Sequence, residues 1–299
     1  MDILTIKNLK KSFGDKVVLD GLDLCVPKNC VFGFVGRNGA GKTTTMKAIL
    51  GLLKIDEGEI YVCGEKVRYG QTSTNQNIGY LPDVPEFYPF MTPKEYLRLC
   101  GQSLNMSQND IDERSSELLE LVGLSQDNRR IKGFSRGMKQ RLGIASALLA
   151  RPKLLICDEP TSALDPIGRK EILDILLSVR EQTTVLFSTH ILSDVERICT
   201  DVAFLNDGKI ELKGTVDELK NIHLSEEFTV ELINAADADK LLNTFDNVRL
   251  TQNDVISFVG GEDRMFEILD FVKENKISLR KIERCEQTLE SLFMEVVKK

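Results

Sequence analysis

Apolar positions change their period several times along the first two thirds of the chain. Uninterrupted apolar runs at residues 30–35 and 154–157 are typical of strands that are buried on both faces of a sheet, and residues 183–188 form a further strand-like segment. Over about residues 92–151 the apolar positions instead recur at helical spacing. This alternation predicts an α/β domain with a mixed sheet, interrupted by a mainly helical insert.

The last quarter of the chain has its own pattern, which begins after a change in composition near residues 223–225. Its strand-like and helix-like segments follow in the order β-α-β-β-α-β, with one more helix at the end. That order is typical of a small ferredoxin-like α+β unit. The sequence therefore predicts two domains, residues 1–220 and residues 225–299.

A glycine-rich loop lies between the first buried strand and a helical segment. It matches the phosphate-loop pattern G-x-x-x-x-G-K-[ST], and its candidate nucleotide-binding residues are Gly36, Arg37, Asn38, Gly39, Ala40, Gly41, Lys42, Thr43 and Thr44. Lys42 is placed to reach the β- and γ-phosphates, the Thr43 hydroxyl to ligate Mg²⁺, and the helix to present its positive end to the anion. A chance lysine in a glycine-rich turn is the alternative, and the flanking strand and helix count against it.

Two carboxylates follow the buried strand at residues 154–157. Asp158 is positioned to hold a magnesium ion through water, and Glu159 to polarise an attacking water molecule. The alternative is an exposed acidic turn after a strand.

His190 lies at the end of another strand, where a histidine taken alone is more often an ordinary surface or core residue.

Composition narrows the classes of function. The 299 residues contain 39 basic and 46 acidic side chains, for a net charge of −7, and no cluster of Lys and Arg predicts a nucleic-acid partner. Seven cysteines without a C-x-x-C pair predict neither disulfides nor a structural metal. No apolar run approaches the roughly 20 residues that span a bilayer, and the amino terminus lacks a signal-peptide profile. We expect a cytoplasmic chain, so any membrane part must come from another polypeptide.

Five segments in register resemble the ATP-binding subunits of ABC transporters over residues 1 to about 220. They are the phosphate loop and residues 134–141 (FSRGMKQR), 158–160 (DEP), 162–165 (SALD) and 188–190 (STH). The resemblance implies a phosphate-loop ATPase that uses ATP and Mg²⁺. It also implies that His190 contacts the γ-phosphate. His190, Lys42 and Glu159 would then be the catalytic residues.

The same resemblance implies that two subunits act together. Ser135 and Gly137 would contact ATP bound to the opposite subunit, in a head-to-tail homodimer or a pair with a similar ATPase subunit, and the serine alternatively serves only as a helix cap. Phe13 would stack on adenine, although it is equally plausible as a packing residue.

Two segments depart from the family pattern. The usual L-S-G-G-Q signature reads F-S-R-G-M here, so that Arg136 replaces the first glycine and Met138 the glutamine. Asp83 stands where the family usually has glutamine, and we expect it to contact magnesium with a shorter reach. An Asx turn before Pro85 is an equally good interpretation of Asp83.

The arrangement as a whole looks like the ATP-binding subunits of type-two exporters of drugs, peptides or lipids. It implies a transmembrane permease subunit encoded separately, which docks on the loop over residues 82–92 and the helices that follow. The chain would then lie peripherally on the inner face of the cell membrane. The alternatives are a soluble non-transport ATPase of the same superfamily acting on ribosomes or DNA, and a kinase or GTPase with an unrelated phosphate loop.

Overall fold

The computed structural model describes residues 2–71, 73–125, 128–222, 227–252, 254–284 and 288–298. The chain divides into two compact units: Met1–Val216 together with Phe293–Lys299, and Asp217–Leu292. Among the described residues, no helix is both long enough and apolar enough to cross a membrane.

The first unit contains ten strands among its described residues. They are β1 (Asp2–Phe13), β2 (Lys16–Pro27), β3 (Val31–Gly36), β4 (Glu57–Val62), β5 (Glu65–Lys66), β6 (Ile78–Leu81), β7 (Leu154–Asp158), β8 (Thr184–Thr189), β9 (Asp201–Asn206) and β10 (Lys209–Thr215). Its helices are α1 (Lys42–Ile49), α2 (Pro93–Ser103), α3 (Gln108–Leu121), α4 (Arg136–Leu148), α5 (Pro166–Ser178) and α6 (Leu192–Ile198). Short 3-10 helices cover Ser73–Asn77 and Ile131–Gly133. Helix α7 (Val216–Ile222) follows β10.

Six strands form the central sheet of this unit in the order β10-β9-β3-β8-β7-β6. The pairs from β9 through β6 are parallel and β10 is antiparallel, so the predicted mixed α/β sheet is confirmed. Every residue of β3, β7 and β8 is buried, and for β3 and β7 the continuous apolar runs predict this. Because parallel strands end at the same edge, the segments after β3, β6, β7 and β8 meet there.

A second sheet, β2-β1-β4-β5, is antiparallel throughout and packs its apolar side chains into the same core. One buried cluster joins Leu4 and Leu22 of this sheet to Phe34 of β3 and to Met46 and Ile49 of α1. The helix that follows the phosphate loop is therefore fixed on its inner face by both sheets.

The helical insert consists of α2, α3 and α4 with the second 3-10 helix between α3 and α4. Helix α2 begins with a capping box: Thr92 Oγ1 accepts from Glu95 N at 3.4 Å, and Glu95 Oε2 accepts from Thr92 N at 2.8 Å. Proline at the first helical position strengthens this start. Ser107 caps α3 by accepting from Asp110 N at 3.2 Å.

The second unit is ferredoxin-like, as predicted. Its elements are β11 (Glu227–Leu232), α8 (Ala238–Thr244), β12 (Val248–Gln252), β13 (Val255–Val259), α9 (Gly261–Glu274) and β14 (Leu279–Arg284), and a 3-10 turn over Ala235–Asp237 lies between β11 and α8. Helix α10 (Leu289–Lys298) follows. The sheet order is β12-β13-β11-β14 with all neighbours antiparallel. Phe228 and Phe258 stack at 5.5 Å in its core, beside Ile256 and Ile268.

Candidate nucleotide site

The phosphate loop turns sharply between β3 and α1, and two of its glycines are required by the space around them. Gly41 has φ +110°, and a Cβ there would lie 2.7 Å from Leu19 Cδ2. A Cβ on Gly36 would lie 2.7 Å from the carbonyl oxygen of Leu205. Helix α1 begins directly after the loop at Lys42, so its amino-terminal amides face the concavity of the loop.

Lys42 is folded back over this loop and is only 6% exposed. Its ammonium donates to the carbonyl oxygens of Gly36 at 2.7 Å and Arg37 at 3.2 Å. The third neighbour is Glu159 Oε1, at 3.1 Å. A buried ammonium needs such partners, and together they hold a fixed positive charge at the mouth of the phosphate loop.

Asp158 ends strand β7 and is buried. Its Oδ2 accepts from the Thr43 hydroxyl at 2.7 Å, and its Oδ1 accepts from the Ser188 hydroxyl at 2.6 Å. Thr43 and Asp158 thus place a hydroxyl and a carboxylate side by side at the start of α1. Mg²⁺ prefers such oxygen donors and is usually held by one or two carboxylates together with substrate phosphates, so this donor set fits the ion.

Glu159 has a left-handed backbone, with φ +48°. This conformation costs a non-glycine residue on the order of 1–3 kcal/mol and is common at functional sites. Its amide donates to Ser188 Oγ at 3.0 Å, which holds the turn in place. The side chain then lies between Lys42 and His190, whose Nδ1 is 2.9 Å from Glu159 Oε2. Glu159 is therefore in direct contact with the other two predicted catalytic residues.

Ser188 is a site residue that the sequence analysis did not single out. It is fully buried in β8 and bridges the carboxylate of Asp158 and the amide of Glu159. The signal for it was a hydroxyl near the end of a buried strand, directly after three apolar residues, because such a group needs a hydrogen-bond partner.

Ser135 and Gly137 lie at the start of α4. The Ser135 hydroxyl accepts from Met138 N at 3.2 Å, so it caps the helix. Ser135 is exposed and Gly137 half-buried. Among the described residues, neither is hydrogen-bonded to Lys42, Thr43 or the carboxylates after β7. Their predicted role toward a second nucleotide stays a prediction.

Phe13 ends β1 with half of its surface exposed, and the Lys11 ammonium lies 5.2 Å from its ring centroid. Such an exposed ring favours stacking on a ligand over packing in the core, and the adenine contact stays a prediction.

Asp83 follows β6 and is bonded to residues outside the phosphate loop. Its Oδ1 accepts from Ser162 Oγ at 2.6 Å and from Arg136 Nη2 at 3.2 Å. Burial raises the pKa of Tyr80 to about 12, and the negative charges of Asp158 and Asp83 both add to the rise. The magnesium contact expected for Asp83 stays a prediction, whereas its contacts with Ser162 and Arg136 are observed.

A phosphate loop before a helix, a strand-end pair of carboxylates and a neighbouring histidine define a phosphate-loop ATPase. Comparison with known proteins narrows this class. The family model for the ABC transporter domain matches residues 19–162. The bacitracin transport ATP-binding protein BcrA of Bacillus licheniformis is 35% identical over 99% of this chain and 97% of its own length. The lantibiotic transport ATP-binding protein SrtF of Streptococcus pyogenes is 39% identical over 74% of this chain and 94% of its own.

A solved structure agrees with these relatives. The ADP conformation of an ATP-binding cassette of an ABC transporter superposes with a TM-score of 0.66, at 26% identity, over 73% of this chain and 92% of that one. The chain belongs to the ATP-binding proteins of ABC transporters. It is an ATPase subunit that powers transport, which sets aside both the non-transport ATPase and the unrelated kinase or GTPase.

Proposed function

We propose that the contact cluster of Lys42, Thr43, Asp158, Glu159 and His190 is the place where this chain binds and hydrolyses MgATP. The observation that carries the proposal is the set of contacts made by the two neighbouring carboxylates. Asp158 is bonded to Thr43 at 2.7 Å, and Glu159 lies 3.1 Å from Lys42 and 2.9 Å from His190.

Each residue has a role that follows from its position. The loop amides and Lys42 bind the phosphates and stabilise the charge that develops on them. Thr43 and Asp158 would hold Mg²⁺, which neutralises phosphate charge when it is bound. Glu159 accepts the proton of the attacking water, and His190 orients the Glu159 carboxylate through Oε2.

We also propose a head-to-tail pair of subunits, either two copies of this chain or this chain with a similar ATPase. The exposed start of α4 supports this arrangement, since Ser135, Gly137 and the helix amides are available to an anion outside the chain. Closure on ATP and opening after hydrolysis would supply the mechanical step.

The proposed partner is a separately encoded permease, with this chain on the cytoplasmic face of the membrane. The docking surface is the segment over residues 82–92. It exposes Val84, Tyr88 and Phe90 beside a cavity of about 430 Å³, whose lining includes charges of both signs, among them Glu86 and Lys132. We propose export of a drug, peptide or lipid, supported by relatives named for bacitracin and lantibiotic transport.

Lys42→Ala tests the nucleotide site, because it removes the cation at the mouth of the loop. Titration with ATP is expected to show binding to the unaltered chain and none to the variant, with Lys47→Ala, at the far end of α1, as the matched control. Equal ATP affinity in Lys42→Ala and wild type would contradict the site.

Co-purification from detergent-solubilised membranes tests the partner: a membrane protein is expected to accompany the chain, and recovery only with ribosomes would contradict transport.

A further inference from the structure

Three residues from three separate segments form a closed triangle next to the candidate nucleotide site. Arg136 Nη2 lies 3.2 Å from Asp83 Oδ1 and 3.0 Å from Ser162 Oγ. The Ser162 hydroxyl donates to the same Asp83 oxygen at 2.6 Å. Asp83 follows β6, Ser162 follows β7 and Arg136 is the first residue of α4. The triangle therefore connects two strand ends of the central sheet to the start of a helix of the insert.

A second bond fixes the same segment one helical turn further along α4. Gln140, which is fully buried, donates from Nε2 to the main-chain oxygen of Asp83 at 2.6 Å. Residues four apart in a helix share one face, so α4 holds Asp83 through its carboxylate and through its backbone. Breaking the side-chain contact removes one of these two attachments and leaves the other.

The charges explain why the contact is needed at this end of the helix. An arginine in the first turn opposes the positive end of the helix dipole, whereas a carboxylate there is favourable. Asp83 supplies that carboxylate. Arg136 lies between Ser135 and Gly137 in the chain, so the conformation of its side chain bears directly on the exposed helix start.

Both residues of the ion pair are departures from the family pattern noted above. Asp83 stands in place of a glutamine and Arg136 in place of a glycine. A neutral residue and a residue without a side chain are thus replaced by two oppositely charged groups that contact each other. The two opposite charges therefore stand at positions that are in contact.

We propose that Asp83 and Arg136 form a positioning pair, which holds the start of α4, with Ser135 and Gly137, against the strand ends after β6 and β7. Asp83 then acts on the reaction through Arg136 and not as a magnesium ligand. The proposal rests on the function proposed above, in which this helix start contacts the triphosphate bound to a second copy.

The test is a double-mutant cycle with Asp83→Gln, Arg136→Gly and the combined variant, which restores both residues of the usual family pattern. Each single variant is expected to lower kcat by about two- to fivefold, since an exposed ion pair contributes at most about that factor. ATP affinity, measured by titration, is expected to stay unchanged, because the phosphate loop is intact. The combined variant is expected to lose no more than either single variant, because the same contact is absent in all three, and Arg136→Lys, which keeps the charge, is expected to lose less than Arg136→Gly.

A matched control is the ion pair Asp174–Arg197, which joins α5 and α6 at 2.9 Å. Its side chains are 52% and 40% exposed, against 48% and 42% for Asp83 and Arg136. The variants Asp174→Asn and Arg197→Gln are expected to leave kcat unchanged, singly and together.

Losses in kcat that multiply in the combined variant would overturn the positioning pair. So would a raised Mg²⁺ requirement in Asp83→Gln that is the same whether residue 136 is arginine or glycine, because that result makes Asp83 a metal contact. A wild-type chain without ATPase activity would instead refute the proposed function, so the two failures are distinguishable.

Discussion

Replacing Glu159 with glutamine removes one negative charge from the candidate site and keeps the size of the side chain. Glu159 is 3.1 Å from the Lys42 ammonium, and both side chains are largely buried, at 13% and 6% exposed. At an effective dielectric constant of about 20, two unit charges at this separation attract by about 5 kcal/mol, partly offset by their desolvation. Glutamine removes this attraction, so the ammonium becomes available to phosphate. We expect ATP to bind at least about tenfold more tightly, equivalent to about 1.4 kcal/mol.

Hydrolysis is expected to change in the opposite direction. Loss of a general base typically slows a reaction by about 10²- to 10⁴-fold, equivalent to about 3–5 kcal/mol in the barrier. Calorimetric titration with MgATP and a phosphate-release assay measure the two effects on one preparation. Asp174→Asn, which neutralises an exposed acid on α5, is the control and is expected to change neither. Turnover close to wild type in Glu159→Gln would refute the assignment of the base, and weaker ATP binding would refute the argument about the ion pair.

Three further predictions concern residues around this base. Asp158→Asn is expected to raise the Mg²⁺ concentration for half-maximal turnover by about 10- to 100-fold, because losing a residue that holds a metal ion through water typically weakens its binding by that factor. An unchanged Mg²⁺ titration would contradict this prediction. Ser188→Ala is expected to lower the free energy of unfolding in urea by about 1–3 kcal/mol, because Asp158 and the Glu159 amide both lose a buried partner; a cost no larger than that of Ser178→Ala would contradict it. Since the pKa of Tyr80 is raised from 10.0 to about 12, its neutral form is favoured in the folded chain and stability is expected to fall as the pH rises from 10 to 12. Tyr80→Phe is expected to lessen that fall, and identical pH curves would count against it.

Much of the fold follows from local patterns. Strand β3 and residues 154–157 of β7 are apolar without interruption because both faces are covered, and such runs are recognisable in a sequence. The start of α2 is equally local, since the Thr92 capping box needs only residues three apart. The ferredoxin-like unit follows from the order of its elements.

The pairing of β1, β2, β4 and β5 into a sheet of their own was not predicted. The partner and the register of each strand depend on contacts between distant segments. The irregular pairing of β1 with β2, which has several register shifts, is a case in which local pattern is a poor guide.

In the candidate site too, local sequence patterns mark some features, and others depend on the folded chain. Lys42, Thr43, Asp158 and Glu159 could be singled out because motif spacing and strand ends mark them. The left-handed backbone of Glu159 and its place between Lys42 and His190 depend on the whole sheet edge. The contact between Asp83 and Arg136 joins residues 53 positions apart, and no local pattern predicts it.

The central claim is that two copies of this chain close around nucleotide. Light scattering on Glu159→Gln protein, with and without saturating MgATP, tests it most directly, with the double variant Lys42→Ala/Glu159→Gln as the control that does not bind ATP. We predict the mass of one chain without nucleotide, twice that mass with MgATP, and the mass of one chain for the control in both conditions. A Glu159→Gln chain that stays at the mass of one copy under saturating MgATP, alone and in the presence of its membrane partner, would contradict the account.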